Sequence, residues 1–401
     1  MKDIIESFEK LKIYCEKERF KGWDPFDGLN SKVLQVLLPL KYSAILRLVV
    51  IQGFKRCPWN LRPLLKVPKE YNAKGIGLFL QGYCNLYRLV ETNTPLEHAF
   101  GTKEDVLQSI HHLSELLISL RSKGYHGSCW GYNFDWQSRR LFLFPAYCPT
   151  VVATNFCATA LMDAYEVTGK KEYLDVAIDS ANFILNDLHL DAYEDEKMIS
   201  YSPLHGNDLV SNASLLGSKV LAYCYRYIGN EEYLKVAQSS IRACCKGQRE
   251  DGAWTYSQVP PKLWVDSFHT GYNLDGLVAY EEQTGDKDYH ENIEKGFDYY
   301  IKHFFNEDGS PKYYDHQQYP IDIHCPGQLL VTLHRLHKFE ENKELAEKVL
   351  TWTIKHMQDE KGYFYYQLKQ GVSSKIPYMR WSNAFMFYAM SYYLLDIYNV
   401  K

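Results

Sequence analysis

A short glycine-led element recurs three times along this chain and sets the spacing of its helices. The copies begin at Gly169, Gly229 and Gly285, read Gly-Lys-Lys-Glu-Tyr, Gly-Asn-Glu-Glu-Tyr and Gly-Asp-Lys-Asp-Tyr, and lie 60 and 56 residues apart. Glycine adopts the left-handed conformation that ends a helix, and Asn or Asp caps the helix that follows. Each copy therefore predicts a tight turn between two helices. Lys170 fills the capping position of the first copy, which predicts a weaker cap there.

A second kind of loop alternates with these turns. Residues 252–256, 309–314 and 362–366 each begin with glycine and continue into aromatic residues, and residues 124–132 have a related composition. Such runs favour turns or small β-hairpins over helix. The repeating unit is therefore helix, tight turn, helix and long loop, and the long loops should gather at one end of the array.

One helical hairpin cannot bury both of its faces, so several must stack or close into a ring. We predict an all-α fold, an α/α toroid (barrel) of six to seven helical hairpins with the Gly- and aromatic-rich loops on one rim. An open solenoid is the alternative. No Pro-, Ser- or Gly-rich linker divides the chain, which predicts a single domain over residues 1–401.

The apolar pattern places the two layers of helices. Inner helices, apolar nearly all round, are expected near 33–53, 75–91, 151–167, 208–228, 269–284, 324–338 and 381–397. Outer helices, apolar on one side, are expected near 3–19, 103–121, 171–187, 231–246, 287–304 and 342–357.

Charge and composition argue against several classes of protein. The net charge of −4 disfavours a nucleic-acid partner. Lys41 and Arg47 interrupt the most apolar segment, residues 33–53, so we expect a buried helix there and no transmembrane segment. The N-terminus lacks the apolar stretch of a signal peptide, and the ten cysteines lack paired or metal-like spacing, which favours the cytoplasm. A basic run over residues 55–74 could meet an acidic glycan or lipid head group, or form a solvated connecting segment.

Polar residues recur where the inner helices should begin, around the central cavity of a toroid. Asp-x-x-His at 266 and 269, His-x-x-Asp at 205 and 208, and Asp-x-His at 322 and 324 share one phase of the repeat. An adjacent Asp orients and tunes an imidazole as acid or base, although each Asp could also be a simple helix cap. The predicted catalytic residues are His269, Asp266, Tyr272, His205, Asp208, Asp322 and His324. The predicted substrate-binding residues are Arg380, as an anion clamp, and Trp381, Asn155, Asn212, Asn273, Trp130, Trp136 and Trp264.

Three reaction classes fit these residues. Glycoside hydrolysis needs two carboxylates across the cavity, for which Asp208, Asp266 and Asp322 are the candidates. Elimination or C5 epimerisation of a uronate needs a base such as His269 or Tyr272, with stabilisation of the charged carboxylate. Isoprenoid chemistry needs an aromatic cavity with an acidic proton donor or a metal.

Metal and cofactor chemistry have weak support in the sequence. His205, His269 and His324 come from different hairpins and could converge on zinc, but the chain has no His-Glu-x-x-His motif. It also lacks a nucleotide-binding glycine loop and a Gly-x-Ser-x-Gly nucleophile elbow. We therefore predict no metal and no cofactor.

Five short motifs are spread over nearly the whole chain. They read Asp-Pro-Phe-Asp-Gly-Leu-Asn-Ser at 24–31, Asn-Leu-Arg-Pro at 60–63, Trp-Gly-Tyr-Asn-Phe-Asp-Trp-Gln at 130–137, Phe-His-Thr-Gly-Tyr at 268–272 and Tyr-Met-Arg-Trp at 378–381. Together they resemble a bacterial and archaeal family encoded in exopolysaccharide, capsule or O-antigen clusters. Its members are labelled polysaccharide biosynthesis protein or, sometimes, delta-aminolevulinic acid dehydratase, a label that implies a strand–helix barrel unlike this helical repeat. The resemblance implies a context in glycan biosynthesis.

A further resemblance concerns one loop of the repeat. Residues 248–254, Gln-Arg-Glu-Asp-Gly-Ala-Trp, are similar to the repeat that follows outer helices in squalene and hopene cyclases. The Asp-rich catalytic run of those enzymes is absent from this sequence. This resemblance therefore implies the toroid fold and not the cyclisation.

These observations predict a cytoplasmic, carbohydrate-active protein of polysaccharide biosynthesis that binds a glycan or glycan precursor. The favoured interpretation is an enzyme that performs acid–base chemistry on a sugar ring, as a lyase, epimerase or glycoside hydrolase. Contact with membrane-associated polysaccharide machinery would fit this context. One alternative is a non-catalytic glycan-binding or scaffold protein of a polysaccharide assembly complex, and another is a terpenoid-cyclase-like enzyme.

Overall fold

The computed structural model describes residues 2–138, 142–206, 209–260 and 262–400, so the predicted catalytic residue Asp208 lies outside the described residues. The α-helices are α1 Lys2–Lys17, α2 Lys32–Leu37, α3 Ala44–Arg56, α4 Ala73–Thr92, α5 Glu97–Phe100, α6 Lys103–Ser119, α7 Val151–Thr168, α8 Lys171–Ile178, α9 Ser180–Asn186, α10 Ser211–Ile228, α11 Glu231–Lys246, α12 Ser267–Thr284, α13 His290–Phe304, α14 His324–Arg335, α15 Lys343–Met357 and α16 Phe385–Ile397. Short antiparallel pairs join β1 Trp136–Gln137 to β2 Leu143–Phe144, β3 Leu190–Tyr193 to β4 Glu196–Ile199, and β5 Ile321–Asp322 to β6 Gln367–Leu368.

The repeated glycines end helices as the sequence predicted. Gly169, Gly229 and Gly285 follow α7, α10 and α12 with φ angles of 67°, 67° and 78°. The Asn230 side chain caps α11 by accepting a hydrogen bond from the Glu232 backbone N–H, whereas Lys170 makes no such cap for α8. Each copy of the repeat therefore marks the turn of one helical hairpin.

Within the described residues, six inner helices close into a ring. They pack in the order α4, α7, α10, α12, α14 and α16, and α16 packs in turn against α4. The outer layer consists of α6, α8 with α9, α11, α13 and α15, while α1 covers α16. The last hairpin thus joins the two ends of the chain. The α/α toroid is confirmed, and closure of the ring excludes the open solenoid.

Close approach of the inner helices depends on small residues at their crossings. A Cβ atom on Gly77 of α4 would lie 2.8 Å from the carbonyl oxygen of Phe156 in α7. Because the added methyl group would meet the backbone of α7, no side chain could move aside to relieve the clash.

Gly77→Ala should therefore destabilise the ring by about 1–3 kcal/mol, despite the better helix propensity of alanine. Gly53→Ala is the matched control, because Gly53 also lies in a helix but a Cβ there meets no atom within 4 Å. We expect that control to be neutral or stabilising by up to about 1 kcal/mol. Chemical denaturation measures both variants, and equal effects would contradict this account of the crossing.

Tryptophans from the long loops fasten the outer helices. Trp130 Nε1 donates to the Leu117 carbonyl of α6 at 2.8 Å, and Trp254 Nε1 donates to the Cys244 carbonyl of α11 at 3.0 Å. Both rings are buried in the core. The prediction that Trp130 stacks on a sugar is therefore wrong, since its ring is occupied in holding two layers of the toroid together.

Residues 18–72, named the cap here, differ from the prediction. The expected inner helix over 33–53 is instead two helices, α2 and α3, interrupted around Pro39 because proline lacks the N–H that a helix interior requires. The cap has a small core of its own, formed by Leu29, Leu40, Val50, Ile51, Phe54 and Val67. That core is too small to bury every apolar side chain of the segment, so several remain on the surface. Among the described helices, none combines the length and the apolar character needed to cross a bilayer.

Candidate active site

The N-terminal ends of the inner helices surround a central cavity of about 300 Å³. The long loops and the cap complete its wall. The lining residues are Phe26, Gln52, Lys55, Lys74, Tyr132, Phe134, Trp136, Gln137, Ser138, Val152, Tyr201, Asn212, Tyr256, Lys262, Trp264, Phe268, His269, Tyr272, Tyr313, Tyr314, His324, Arg380 and Trp381.

The first turns of the inner helices bring the polar side chains together. The second residues of α4 and α10 are Lys74 and Asn212, α12 contributes His269, α14 begins with His324, and Arg380 lies in the π-helical turn Met379–Ala384 that continues into α16. Free backbone N–H groups at helix N-termini favour negative charge. The ring thus directs several helix N-termini and basic side chains at one space.

His269 is held by Asp266, the capping residue of α12. Asp266 Oδ1 accepts the His269 backbone N–H at 3.1 Å, and Asp266 Oδ2 lies 2.7 Å from His269 Nδ1. Trp264 Nε1 donates to the same Oδ2 at 3.0 Å. With Nδ1 donating to the buried carboxylate, Nε2 is left as the atom that can take a proton from a ligand. The dyad predicted from Asp-x-x-His is present, with Asp266 behind the histidine and outside the cavity lining.

His324 stands in a more apolar setting. Its ring lies 4.1 Å from the Phe385 ring and 4.4 Å from the Trp381 ring, centroid to centroid. Its Nδ1 is 3.7 Å from Asp322 Oδ1, beyond hydrogen-bonding reach, and has no partner among the described residues. Asp322 instead accepts from the His324 backbone N–H, Trp381 Nε1 and Gln367 Nε2 at 3.0, 2.8 and 2.7 Å. Asp322 therefore positions its neighbours and, like Asp266, does not line the cavity.

The pH dependence of stability tests the setting of His324. Burial lowers the pKa of His324 to about 4, and Lys74 and Arg380 act in the same direction. An unfolded histidine titrates near pH 6.5. Between about pH 6.5 and 4, His324 is therefore protonated in the unfolded chain but not in the folded chain. The contribution of His324 to stability is therefore complete above this window and falls as the pH drops through it, by about 3 kcal/mol.

His324→Gln should remove this loss of stability, whereas replacement of the exposed His205 should not. Denaturant unfolding at pH 7 and pH 4.5 measures the difference. An equal loss in wild type and His324→Gln would show that His324 is not the group responsible.

Arg380 is buried and paired with the cap. Its Nε donates to Asp24 Oδ2 at 2.5 Å, and its guanidinium lies 4.9 Å from the Tyr132 ring and 5.0 Å from the Trp381 ring. The terminal nitrogens Nη1 and Nη2 make no hydrogen bond to any described residue, and Arg380 lines the cavity. They can therefore donate to an anionic group of a ligand, and the anion clamp stays a prediction.

A second buried ion pair continues this contact into the cap. Arg62 Nε donates to Asp27 Oδ1 at 2.7 Å, and Arg62 Nη2 donates to the Asp24 carbonyl at 2.7 Å. The Arg62 guanidinium also lies 4.7 Å from the Tyr378 ring. Three of the five sequence motifs, at 24–31, 60–63 and 378–381, therefore meet where the cap docks on the ring.

Lys74 is a site residue that the sequence analysis missed. It is buried, its Nζ lies 3.2 Å from Tyr272 Oη, and it lies 4.1 Å from the centre of the Phe156 ring. Burial, together with the neighbouring Arg380 guanidinium, holds the pKa of Lys74 well below its usual range. Burial also raises the pKa of Tyr272 well above its usual range, which favours the protonated phenol. The available signal was position, because Lys74 lies in the first turn after the helix-capping Asn72, as His269 lies in the first turn after Asp266.

Apart from Trp130, the predicted substrate-binding residues divide into two groups. Arg380, Trp381, Asn212, Trp136 and Trp264 line the cavity. Asn155 and Asn273 are buried in α7 and α12 but do not line it.

His205 likewise lies outside the cavity lining. It is exposed and stacks on His189 with a centroid distance of 4.2 Å. It lies between β4 and α10, before α10 begins, so equal phase in the sequence repeat does not place it beside His269.

The described cavity lining has an uneven charge. Four basic side chains, those of Lys55, Lys74, Lys262 and Arg380, contribute to it, and no Asp or Glu is among its described residues. The described residues also contain no group of three or more His, Cys, Asp or Glu side chains arranged to hold a metal ion. The lining thus combines two histidines, stacked aromatic rings and four basic side chains.

Comparison with known proteins agrees with this architecture. Residues 267–400, about a third of the chain, match the family model described as Glycosyl Hydrolase Family 88. That stretch includes His269, His324 and Arg380. No curated protein sequence matches the chain significantly.

Solved structures share the fold over most of the chain. A cellobiose 2-epimerase from Bacillus thermoamylovorans is 14% identical, with a TM-score of 0.62 over 83% of this chain and 90% of that one. An unsaturated glucuronyl hydrolase specific for heparin is 12% identical, with a TM-score of 0.62 over 100% and 98%. A GH76 alpha-mannanase from Bacteroides thetaiotaomicron is 14% identical, with a TM-score of 0.57 over 82% and 88%. The chain is thus an α/α toroid whose C-terminal third is similar to Glycosyl Hydrolase Family 88, which supports a carbohydrate-active enzyme.

Proposed function

We propose that this protein is an enzyme that performs acid–base chemistry on an anionic sugar bound in the central cavity. The observation that carries the proposal is the lining itself, in which four basic side chains and two histidines face one space. Three described carboxylates bonded to lining residues, those of Asp24, Asp266 and Asp322, hold Arg380, His269 and Trp381 and do not line the cavity. A uronate is the substrate class that fits best, because its carboxylate both needs a cation and acidifies the adjacent C–H bond.

Each of the polar lining residues has its own role in this proposal. Arg380 donates from its terminal nitrogens to the sugar carboxylate and stabilises the charge that builds on it when the adjacent proton leaves. His269 Nε2 takes that proton, and the resulting imidazolium is stabilised by Asp266. His324, kept neutral by burial, donates or accepts on another side of the cavity. An epimerase then returns a proton to the opposite face of the same carbon, whereas a lyase breaks the bond between the next ring carbon and its oxygen substituent, which leaves with a proton from an acid in the cavity.

Aromatic rings provide the apolar part of sugar recognition. Trp136, Trp264 and Trp381 line the cavity, and Trp264 is stacked on Tyr256 with a centroid distance of 4.7 Å and an interplanar angle of 15°. Hydrogen bonds to Asp266 and Asp322 fix the indoles of Trp264 and Trp381. Rigid rings can pack against the C–H faces of a sugar at little cost in side-chain entropy.

A glycoside hydrolase acting on the same anionic sugar is the second candidate. The match of residues 267–400 to Glycosyl Hydrolase Family 88 favours it, and the heparin-specific glucuronyl hydrolase with the same fold acts on a uronic acid by its name. Both candidates place a negatively charged sugar against Arg380. The polysaccharide-biosynthesis context, suggested by the motif resemblance, is part of this proposal.

Thermal denaturation with matched pairs of ligands tests the substrate class. Disaccharides that contain glucuronic acid should raise Tm by several degrees at saturation, whereas the glucose-containing counterparts should raise it little. Lys74→Met should raise the ligand concentration needed for half of this Tm shift at least tenfold. Lys171→Met, which changes an exposed surface lysine, should leave that concentration unchanged. Stabilisation by neutral sugars alone would overturn the proposal. Stabilisation only by isoprenoid diphosphates would favour a cyclase. Sugar binding that persists when His269 is replaced, in a protein that shows no turnover, would favour a scaffold.

A further inference from the structure

One stretch of the cap has an unusual composition. Between Asp27 and Glu70 the sequence contains no Asp or Glu, although the whole chain has a net charge of −4. The same stretch contains eight basic residues, namely Lys32, Lys41, Arg47, Lys55, Arg56, Arg62, Lys66 and Lys69. A strongly positive segment is thus set into a weakly negative protein.

The exposed apolar side chains concentrate in this same stretch. Of the fourteen large hydrophobic residues that are exposed among the described residues, eight lie between residues 36 and 64. Val36 and Tyr42 are each 84% exposed, and Trp59 is 71% exposed. On α3, Ile45 and Val49 are one helical turn apart and so share one outward face. A monomeric protein rarely leaves so many large apolar side chains together in water unless they bind something.

This surface belongs to a folded unit. The six core residues of the cap lie beneath it, and the buried pairs Asp27–Arg62 and Asp24–Arg380 fasten the cap to the ring. On α3, Ile51 and Phe54 are buried in that core, while Gln52 and Lys55 line the central cavity. The exposed residues are thus the outer face of an ordered element.

Several basic residues of this stretch form no ion pair with a described residue. Lys32, Lys41, Arg56 and Lys66 are exposed, and none of them forms an ion pair with a described residue. We propose that the outer surface of residues 32–66, the membrane face of the cap, binds anionic phospholipid bilayers. Apolar side chains and Trp or Tyr rings would enter the head-group region, and the Lys and Arg side chains would meet lipid phosphates.

The positive charge of this surface favours a bilayer with anionic lipids over a second copy of this chain. A second copy of this chain, docked through the same surface, would bring another set of unpaired cations against the first, which is repulsive. A bilayer with anionic lipids supplies both an apolar layer and negative charge in one plane. The proposal does not depend on the reaction in the cavity, since the exposed Ile45 and Val49 of α3 do not line that cavity.

Flotation of the full-length protein with lipid vesicles tests the proposal. We expect binding to vesicles of phosphatidylcholine and phosphatidylglycerol in a 7:3 ratio, little binding to pure phosphatidylcholine, and weaker binding as salt is raised. Ile45→Glu/Val49→Glu should reduce binding at least tenfold. The control Ile13→Glu/Ile228→Glu makes the same charge change on half-exposed residues elsewhere and should bind like wild type.

A second variant separates charge from folding. Lys41→Gln/Arg56→Gln should weaken binding at low salt by about tenfold or more, with a Tm equal to that of wild type. The proposal is overturned if the wild-type protein does not float with anionic vesicles, or if the control variant loses binding as the α3 variant does. It is also overturned if light scattering finds a dimer that the α3 variant disrupts and the protein does not bind vesicles, because the occupant would then be a second copy.

Discussion

Replacement of His269 by glutamine should lower kcat at least a hundredfold on an anionic sugar that the enzyme turns over, with little change in Tm. The histidine is only partly buried, with 20% of its side chain exposed, so the cost to folding is small. Its Nδ1 is committed to Asp266, and glutamine cannot take a proton in place of Nε2. Positioned general acids and bases contribute about 10²–10⁴-fold to rates, which sets the expected loss.

His205→Gln provides the matched control for this experiment. His205 was predicted from the same sequence phase, but it is exposed, stacks on His189 and lies outside the cavity lining. We expect its replacement to leave kcat within about twofold of wild type. Full activity of His269→Gln, or an equal loss in both variants, would show that the Asp266–His269 dyad is not the catalytic base.

Arg380→Ala should destabilise the protein by about 3–5 kcal/mol, because it leaves the buried Asp24 carboxylate without its partner. Both side chains of the pair are about 5% exposed, and the contact joins residues 356 positions apart in the sequence. Its loss should loosen the cap from the ring. Denaturant unfolding, followed by the fluorescence of the buried tryptophans, measures this cost.

Two further variants make the result specific. Arg249→Ala breaks an ion pair with Asp251 in which both partners are about half exposed, so it should cost about 1 kcal/mol or less. Asp24→Asn/Arg380→Gln removes both charges and should recover part of the stability lost in Arg380→Ala. A cost below about 1 kcal/mol for Arg380→Ala would mean that the pair does not fasten the cap. Loss of sugar binding in the double variant, at recovered stability, would separate the anion clamp from the structural role.

The repeat made the toroid predictable because its signals are local. Gly169, Gly229 and Gly285 each end a helix through their own backbone conformation, and the 56–60-residue period follows directly from the sequence. The Asp266–His269 dyad was also predictable, since capping and the Nδ1 contact both act within one helical turn.

What could not be predicted depends on contacts between distant parts of the chain. Trp130 and Trp136 lie six residues apart in one aromatic loop, yet one is buried against α6 and the other lines the cavity. The 33–53 segment is apolar enough for an inner helix, but the ring is already complete with six inner helices in the described residues, so it lies outside as part of the cap. Lys74 gains its significance only when ring closure brings Tyr272 to within 3.2 Å of its amine.

The most direct test of the proposed chemistry is NMR of a uronate disaccharide incubated with the enzyme in D₂O. If the enzyme breaks a ring C–H bond, an epimerase should place deuterium on the carbon next to the carboxylate, and a lyase should give a product with a new vinyl proton. Neither signal should appear with His269→Gln. Cleavage of the glycosidic bond with every ring C–H intact would contradict the His269 mechanism and favour the hydrolase. Absence of any reaction with uronates, together with turnover of neutral sugars, would contradict the anionic substrate itself.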